Sequence, residues 1–353
     1  MGNIEKFFNL NTDVDAVVLL NDSNRFYFTR YDSSFGIVLI TKNSNWFITD
    51  PRYSDEAEKN LSNQFNVVVG TFDYAIELIQ SIMADNGLKT LGYEDETISH
   101  KDFLAVNKIK GVELVPVSQK LSSIRAIKSD EELDNIRRAA QISDKALLSI
   151  QKKIKQGVTE RDVLAELEYQ MRLLGASGPA FDTIVAFGKK TAYPHAHSGD
   201  VKLEKGNVIL IDFGAKYNYY CSDMTRILSL GEPDPQIKAI HSAVLTAQQY
   251  ALSGMKAGLT GREVDSFARE YLKSCGYGNY FNHSLGHGLG LEIHEGPAVS
   301  AKNYDELQEN MVVTCEPGVY IDGIGGVRIE DTVIVTNNGI ELLNSVSKEI
   351  IIL

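Results

Sequence analysis

Basic residues are the scarcer charge in this chain. Lys plus Arg number 35 against 47 Asp plus Glu over 353 residues, a formal charge of −12. That balance argues against nucleic acid or an anionic membrane surface as the main partner. Long apolar runs are missing as well, and none approaches the length of a membrane span. The opening MGNIEKFFNL shows no basic leader followed by a long apolar core, and its sixth residue is Lys where a myristoylation signal has Ser or Thr. Cysteine is limited to Cys221, Cys275 and Cys315, with no CxxC spacing. This excludes a disulfide framework and reads as reduced thiols of a cytoplasmic protein. Ser198 and Ser284 lack a GxSxG elbow, and the glycines around Gly288 lack the strand-turn-helix setting of a dinucleotide fingerprint.

What is present suggests two domains with ample core. Residues 1–122 alternate short apolar runs with helical stretches. Ala16–Leu20, Phe35–Ile40, Asn45–Thr49, Thr90–Tyr93 and Val112–Val115 read as strands, and Tyr74–Met83 reads as a helix. This is the pattern of an α/β domain, and nothing in it has a catalytic spacing. A linker is expected near Leu121–Ser129. There Ser129-Asp130-Glu131-Glu132 carries a capping box that opens a long amphipathic helix. Helices near 130–154, 160–174, 234–255 and 262–275 follow within residues 123–353.

The second domain carries two acidic hairpins on one plan. VILIDFGAKYNYYCSDMTR holds Asp212 and Asp223; VVTCEPGVYIDGIGGVRIED holds Glu316 and Glu330. Tyr217-Asn218 would centre the first turn and Gly323 the second, so each hairpin is expected to face its two carboxylates across the strands. Between the hairpins lies HSLGHGLGLEIHEGP, with His283, His287 and His294. Carboxylates gathered on apolar strands repel one another and lose hydration. Two divalent cations resolve that conflict, which predicts a hydrolase working through metal-activated water.

The plan is repeated upstream. Lys155-Gln156-Gly157-Val158-Thr159-Glu160-Arg161-Asp162-Val163 aligns with Lys256-Ala257-Gly258-Leu259-Thr260-Gly261-Arg262-Glu263-Val264. In both, a threonine precedes an acid by three residues, the signature of a capped helix start. Each half therefore reads as helix, turn, helix and acid-bearing hairpin, an internal duplication that would bring the four acids into one cleft.

Among the histidines, His287 sits between two glycines that leave its backbone open to a ligand, and is the metal-ligand candidate. His283 is expected behind it. His294 is a candidate to line the cleft and donate to a developing oxyanion. His195, in Tyr193-Pro194-His195-Ala196-His197, lies on a loop suited to substrate contact, with His197 facing elsewhere or the rim. His100 and His241 read as ordinary surface or helix residues. Arg328 precedes Glu330 by two positions and shares its face of the strand, where it could fix a carboxylate ligand or a substrate terminus.

HSLGHGLGLEIHEGP, IDFGAKYNYYCSDMTR, CEPGVY and GVRIEDT together resemble the pita-bread metallopeptidases of the prolidase, aminopeptidase P and methionine aminopeptidase superfamily. Phe26-Tyr27-Phe28-Thr29 and Ile48-Thr49-Asp50-Pro51-Arg52-Tyr53 resemble the creatinase-like N-terminal domain that accompanies prolidases and aminopeptidase P. The resemblance implies a creatinase-like α/β domain followed by a pseudo-symmetric pita-bread catalytic domain of α+β character. It implies that Asp212 chelates one metal, that His287 and Glu316 hold the other, and that Asp223 and Glu330 bridge them. One nitrogen among many carboxylate oxygens favours a hard ion, so Mn²⁺ is expected first, with Co²⁺, Zn²⁺ or Fe²⁺ as other candidates. Glu316, His294, His195 and Arg328 are the candidate catalytic residues, with Glu316 as proton shuttle. The implied substrate is a peptide with proline second, cleaved before the proline, in a cytoplasmic homodimer. A dipeptidase is favoured over an aminopeptidase P that takes longer peptides. A non-catalytic binding module is the alternative of another class, and the retained ligands and absence of a basic tail speak against it.

Overall fold

The computed structural model describes residues 2–353. The chain divides into two compact units, one ending at Arg125 and the other starting at Ala126. The linker expected at Leu121–Ser129 therefore begins inside a helix, Ser118–Ala126.

The first unit is built on a mixed six-stranded sheet of order β4-β3-β2-β1-β5-β6. Its strands are β1 (Ala16–Leu19), β2 (Ile37–Thr41), β3 (Asn45–Thr49), β4 (Asn66–Val69), β5 (Thr90–Tyr93) and β6 (Glu113–Pro116). β1, β2 and β3 pair antiparallel, whereas β4, β5 and β6 join in parallel. Val18, Leu39, Ile48, Ile79 and Met83 are fully buried between sheet and helices. The edge strand β4 is an addition to the strands expected from the sequence. The Phe26–Thr29 cluster belongs to a helix, Asp22–Thr29, whose Asn21 cap accepts from the Asn24 amide.

The second unit shows the expected duplication in its local structure. Ser129, Thr159 and Thr260 each close a capping box, with Glu132, Asp162 and Glu263, opening helices Asp130–Ile150, Glu160–Leu173 and Gly261–Ser274. Gly157 and Gly258 adopt φ of 90° and 88° at matching turns. Their amides donate to Leu203 O at 2.9 Å and Leu307 O at 2.8 Å, also matching positions. Pro235–Gly254 completes the second helix pair.

The helices cover two sheets. The strands are β7 (Gly178–Pro179), β8 (Ile184–Phe187), β9 (Val208–Phe213), β10 (Ala215–Tyr217), β11 (Tyr220–Cys221), β12 (Met224–Ser229), β13 (Gly286–Gly288), β14 (Glu295–Val299), β15 (Val312–Cys315), β16 (Gly318–Ile321), β17 (Gly325–Arg328), β18 (Asp331–Thr336), β19 (Gly339–Leu342) and β20 (Ile351–Ile352). They form the sheets β20-β12-β9-β8 and β14-β13-β15-β18-β19, with β16-β17 and β11-β10-β7 as extensions. β9, β12 and β15 are buried along their whole length, which suits the apolar run Val208–Ile211 and encloses the polar Asp212, Thr225, Arg226 and Thr314 as well.

The registers decide where the acids go. In the second hairpin Cys315 faces Asp331 and Gly318 faces Arg328. Glu316 and Glu330 thus take opposed positions, as expected from a turn at Gly323, whose φ is 77°. The first hairpin differs. Asp212 faces Thr225, and Tyr217 faces Tyr220. The turn is centred on Asn218-Tyr219, both with positive φ (45° and 72°), the backbone of a tight primed turn that matches strand twist. Asp223 lies two residues from Thr225, so it shares Asp212's face diagonally rather than directly.

Candidate metal centre and its cleft

A cleft of about 360 Å³ opens beside the ends of β9, β12, β13 and β15. Asp212, Asp223, His283, His287, His294, Glu316, Arg328, Glu330 and His195 all line it. His197 does not, in keeping with its expected outward position. His241 is buried in its helix, bonded to Lys348 O at 2.9 Å.

Three ligand atoms, one each from Asp223, His287 and Glu330, lie within 4.8 Å of one another. His287 Nε2 is 3.6 Å from Asp223 Oδ2 and 3.5 Å from Glu316 Oε1. The ring is turned by its other nitrogen, which meets Gly288 O at 3.1 Å. Its backbone amide donates to Thr314 Oγ1 at 3.1 Å, and that hydroxyl donates to Glu316 Oε1 at 3.2 Å. Gly286 lets β13 come this close: a Cβ there would sit 2.0 Å from Thr314 O.

Asp212 is turned toward Arg328, whose Nη2 donates to its Oδ2 at 2.5 Å. Arg328 also donates from Nη1 to Tyr320 OH at 2.7 Å and to Pro194 O at 3.3 Å, and from Nε to Thr225 Oγ1 at 3.1 Å. Thr225 Oγ1 donates onward to Glu330 Oε2 at 2.7 Å. His283 stands behind this set, 3.0 Å from Tyr320 OH. Two buried atoms, Asp212 Oδ1 and Asp223 Oδ1, have no hydrogen-bond partner.

The electrostatics follow from that crowding. Burial, then Glu330, Asp212 and Glu316, hold the Asp223 carboxyl well above its usual range. Burial, then Glu316 and Asp212, do the same to Glu330. Glu316 is pushed up to about 8, mainly by burial. Burial lowers His287 to about 4 and His283 to about 4, so both imidazoles are neutral at neutral pH. A neutral imidazole beside several buried carboxylates, two with a bare oxygen, is a donor set for a divalent cation and a poor arrangement without one.

His294 is exposed, with its ring 4.4 Å from that of His287. Its loop is held from below: Glu295 meets the buried Lys128 Nζ at 3.1 Å and accepts from the Glu292 amide at 3.0 Å. Sequence reasoning missed Thr225, Thr314, Tyr320 and this Lys128–Glu295 pair. Thr225 and Thr314 were within reach, since each stands two residues from a ligand candidate at the end of its strand, a spacing that puts the two side chains on one face. Lys128 carried no such signal.

Both units match families of known proteins. Residues 134–337 match metallopeptidase family M24, and residues 11–127 match the creatinase/prolidase N-terminal domain. The Xaa-Pro dipeptidase of Pyrococcus furiosus is 39% identical over 349 residues, covering 98% of this chain and 97% of that protein. The structure of an Xaa-Pro dipeptidase from Bacillus anthracis superposes with a TM-score of 0.94 at 40% identity, covering 99% of both chains. An X-Pro aminopeptidase structure from Thermotoga maritima MSB8 has a TM-score of 0.90 at 40% identity, covering 97% of this chain and 98% of that one.

Proposed function

Because the chain belongs to metallopeptidase family M24, we propose that it hydrolyses the bond before proline in Xaa-Pro dipeptides, with two divalent cations held by Asp212, Asp223, His287, Glu316 and Glu330. The observation that carries this reading is the grouping of Asp223, His287 and Glu330 ligand atoms within 4.8 Å, with Glu316 alongside. Bound there, the cations would acidify a water and polarise the scissile carbonyl.

The protein's own groups do the rest. Glu316, fixed through Thr314, takes the proton of the attacking water at a carboxylate oxygen and passes it to the departing proline nitrogen. His294 donates to the oxygen of the tetrahedral addition product, and His195 holds the peptide on the opposite wall. Arg328 makes four bonds to protein atoms. Those bonds support the fixing of a carboxylate ligand over the binding of a substrate terminus: Arg328 positions Asp212.

A cleft of about 360 Å³ is at the small end of ligand pockets and suits a dipeptide better than a long chain. The relatives named as dipeptidases support the same choice. Mn²⁺ is the ion we favour, on the carboxylate-rich donor set. The free cysteines support a cytoplasmic setting, and among the described residues no helix is long and apolar enough to cross a membrane. A homodimer is proposed from the family resemblance, and light scattering showing a monomer at micromolar concentration would refute it. For the activity, hydrolysis of Xaa-Pro and Xaa-Pro-Xaa peptides is compared with added Mn²⁺. Dipeptide turnover well above tripeptide turnover is expected. The reverse makes the protein an aminopeptidase P, and turnover of neither refutes the proposal.

A further inference from the structure

Glu160 is the first residue of the capped helix Glu160–Leu173, yet it is fully buried. An acid in a helix's first turn ordinarily faces solvent and helps the helix through its dipole. Here the cap is already complete without it, through Thr159 and Asp162. The Glu160 carboxylate reaches away from its helix instead. Oε1 accepts from the Phe187 amide at 3.0 Å; Oε2 accepts from the Gly199 amide at 2.8 Å and from Lys190 Nζ at 2.5 Å. All three donors belong to one segment, 187–199, the loop that carries His195. The carboxylate ties its two ends together and neutralises a lysine within it.

The duplicated half shows that the fold does not require this acid. Both copies hold the returning chain through helix-start amides. Glu160 N donates to Val201 O at 3.2 Å and Arg161 N to Gly199 O at 3.1 Å; Gly261 N donates to Asp305 O at 3.1 Å and Arg262 N to Asn303 O at 2.8 Å. The first copy adds the buried Glu160 carboxylate, whereas the second adds an exposed side-chain bond, from Arg262 to the Tyr304 hydroxyl. In the second, Gly261 occupies the position, and a Cβ there would lie 2.5 Å from Ala298 O. The far face of the His195 loop is held by β17, where the Gly326 amide donates to Thr191 Oγ1 at 2.8 Å, and by Arg328, which donates to Pro194 O at 3.3 Å. With Glu160 below and β17 above, Pro194 and His195 are left facing the cleft.

The geometry points to Glu160 as a positioning residue that clamps the 187–199 loop and so fixes His195 against the substrate. This rests on the reading of His195 as a substrate contact. A buried carboxylate with partners is not in itself a gain in stability; its use here is geometric, and a displacement of about 1 Å at a reacting centre can reduce turnover by roughly a hundredfold.

The test uses the full-length Mn²⁺-loaded protein carrying Glu160→Gln or Glu160→Ala, each alone and with His195→Ala. The Gln side chain keeps the shape but offers one carbonyl oxygen to three donors, so it protects the test if the Ala variant folds poorly. We expect kcat on an Xaa-Pro dipeptide to fall about tenfold to a hundredfold with metal content unchanged, and no further fall when His195 is already alanine. Amide exchange at Phe187 and Gly199 should speed up while the interior of helix Glu160–Leu173 keeps its protection. Equal loss of kcat in both backgrounds, or unchanged exchange at those two amides, overturns the clamp. If His195→Ala leaves kcat intact while Glu160→Gln lowers it, the role of His195 is refuted and the clamp through it falls too. Equal loss with a slow His195→Ala refutes the clamp alone.

Discussion

Replacing Thr225 by valine tests whether the buried hydroxyl organises the candidate metal centre. The side chains are nearly the same shape, so the change removes one hydroxyl and little packing from a residue that is fully buried. That hydroxyl donates to Glu330 Oε2 at 2.7 Å and accepts from Arg328 Nε at 3.1 Å. A hydrogen bond to a charged group is worth about 1.5–3 kcal/mol, and each 1.4 kcal/mol is about tenfold in a binding constant. Glu330 would lose a donor that favours its ionised, cation-binding form, so Mn²⁺ affinity should fall by about tenfold to a hundredfold, the range common for residues that orient metal ligands. Thr225→Ser keeps the hydroxyl and should stay near the parent. The assay is Mn²⁺ titration by calorimetry at one fixed pH, with thermal melting of the metal-free protein as a check on folding. Parental affinity in a folded Thr225→Val protein would refute the argument, because the 2.7 Å contact would then have no energetic consequence for the site.

Gly286→Ala places a Cβ 2.0 Å from Thr314 O, so β13 must move and carry His287 with it. Mn²⁺ binding should weaken by roughly tenfold or more and the melting temperature should fall; unchanged melting would show that the strand has room. His294→Ala should keep the bound metal and lose about a hundredfold in kcat, the usual cost of one oxyanion donor; metal loss or parental turnover would contradict its assigned role. His241 is buried, and burial lowers its pKa below 6.5. Its contribution to stability is therefore complete above about 6.5 and lost as the pH falls toward the lower folded value. His241→Gln should show a smaller decline in urea midpoint between about pH 7 and pH 5 than the parent, and equal declines would exclude His241 as a source of that decline.

What the sequence disclosed follows the reach of each interaction. The capping boxes at Ser129, Thr159 and Thr260 are closed by residues three positions away, so a local pattern suffices to see them. Glu316 and Glu330 are opposed because Gly323 can take positive φ midway between them, and glycine announces that freedom. The first hairpin escaped by two residues for the opposite reason. Its turn places Tyr219 at φ 72°, a conformation that tyrosine seldom adopts and that nothing in the local sequence signals. In the first unit, β4 is a short, partly exposed edge, and its Val67-Val68-Val69 run has too little alternation to stand out.

The carboxylates were recognisable as a set because acids at matched places on apolar strands have no use in packing. Their supports differ in kind. Thr225 and Thr314 obey the two-residue period of the strands and could have been read with the ligands themselves. Glu160 could not, since its partners lie 27 and 39 residues away along the chain. They meet it only after helix Glu160–Leu173 has packed against β8 and the loop beyond. The one sequence trace of this contact is a difference between the two copies, Glu160 where the other half has Gly261. In a duplicated fold the shared residues disclose what the architecture requires. An unshared buried charge must therefore answer to something only one half does, and here the first half alone carries the His195 loop.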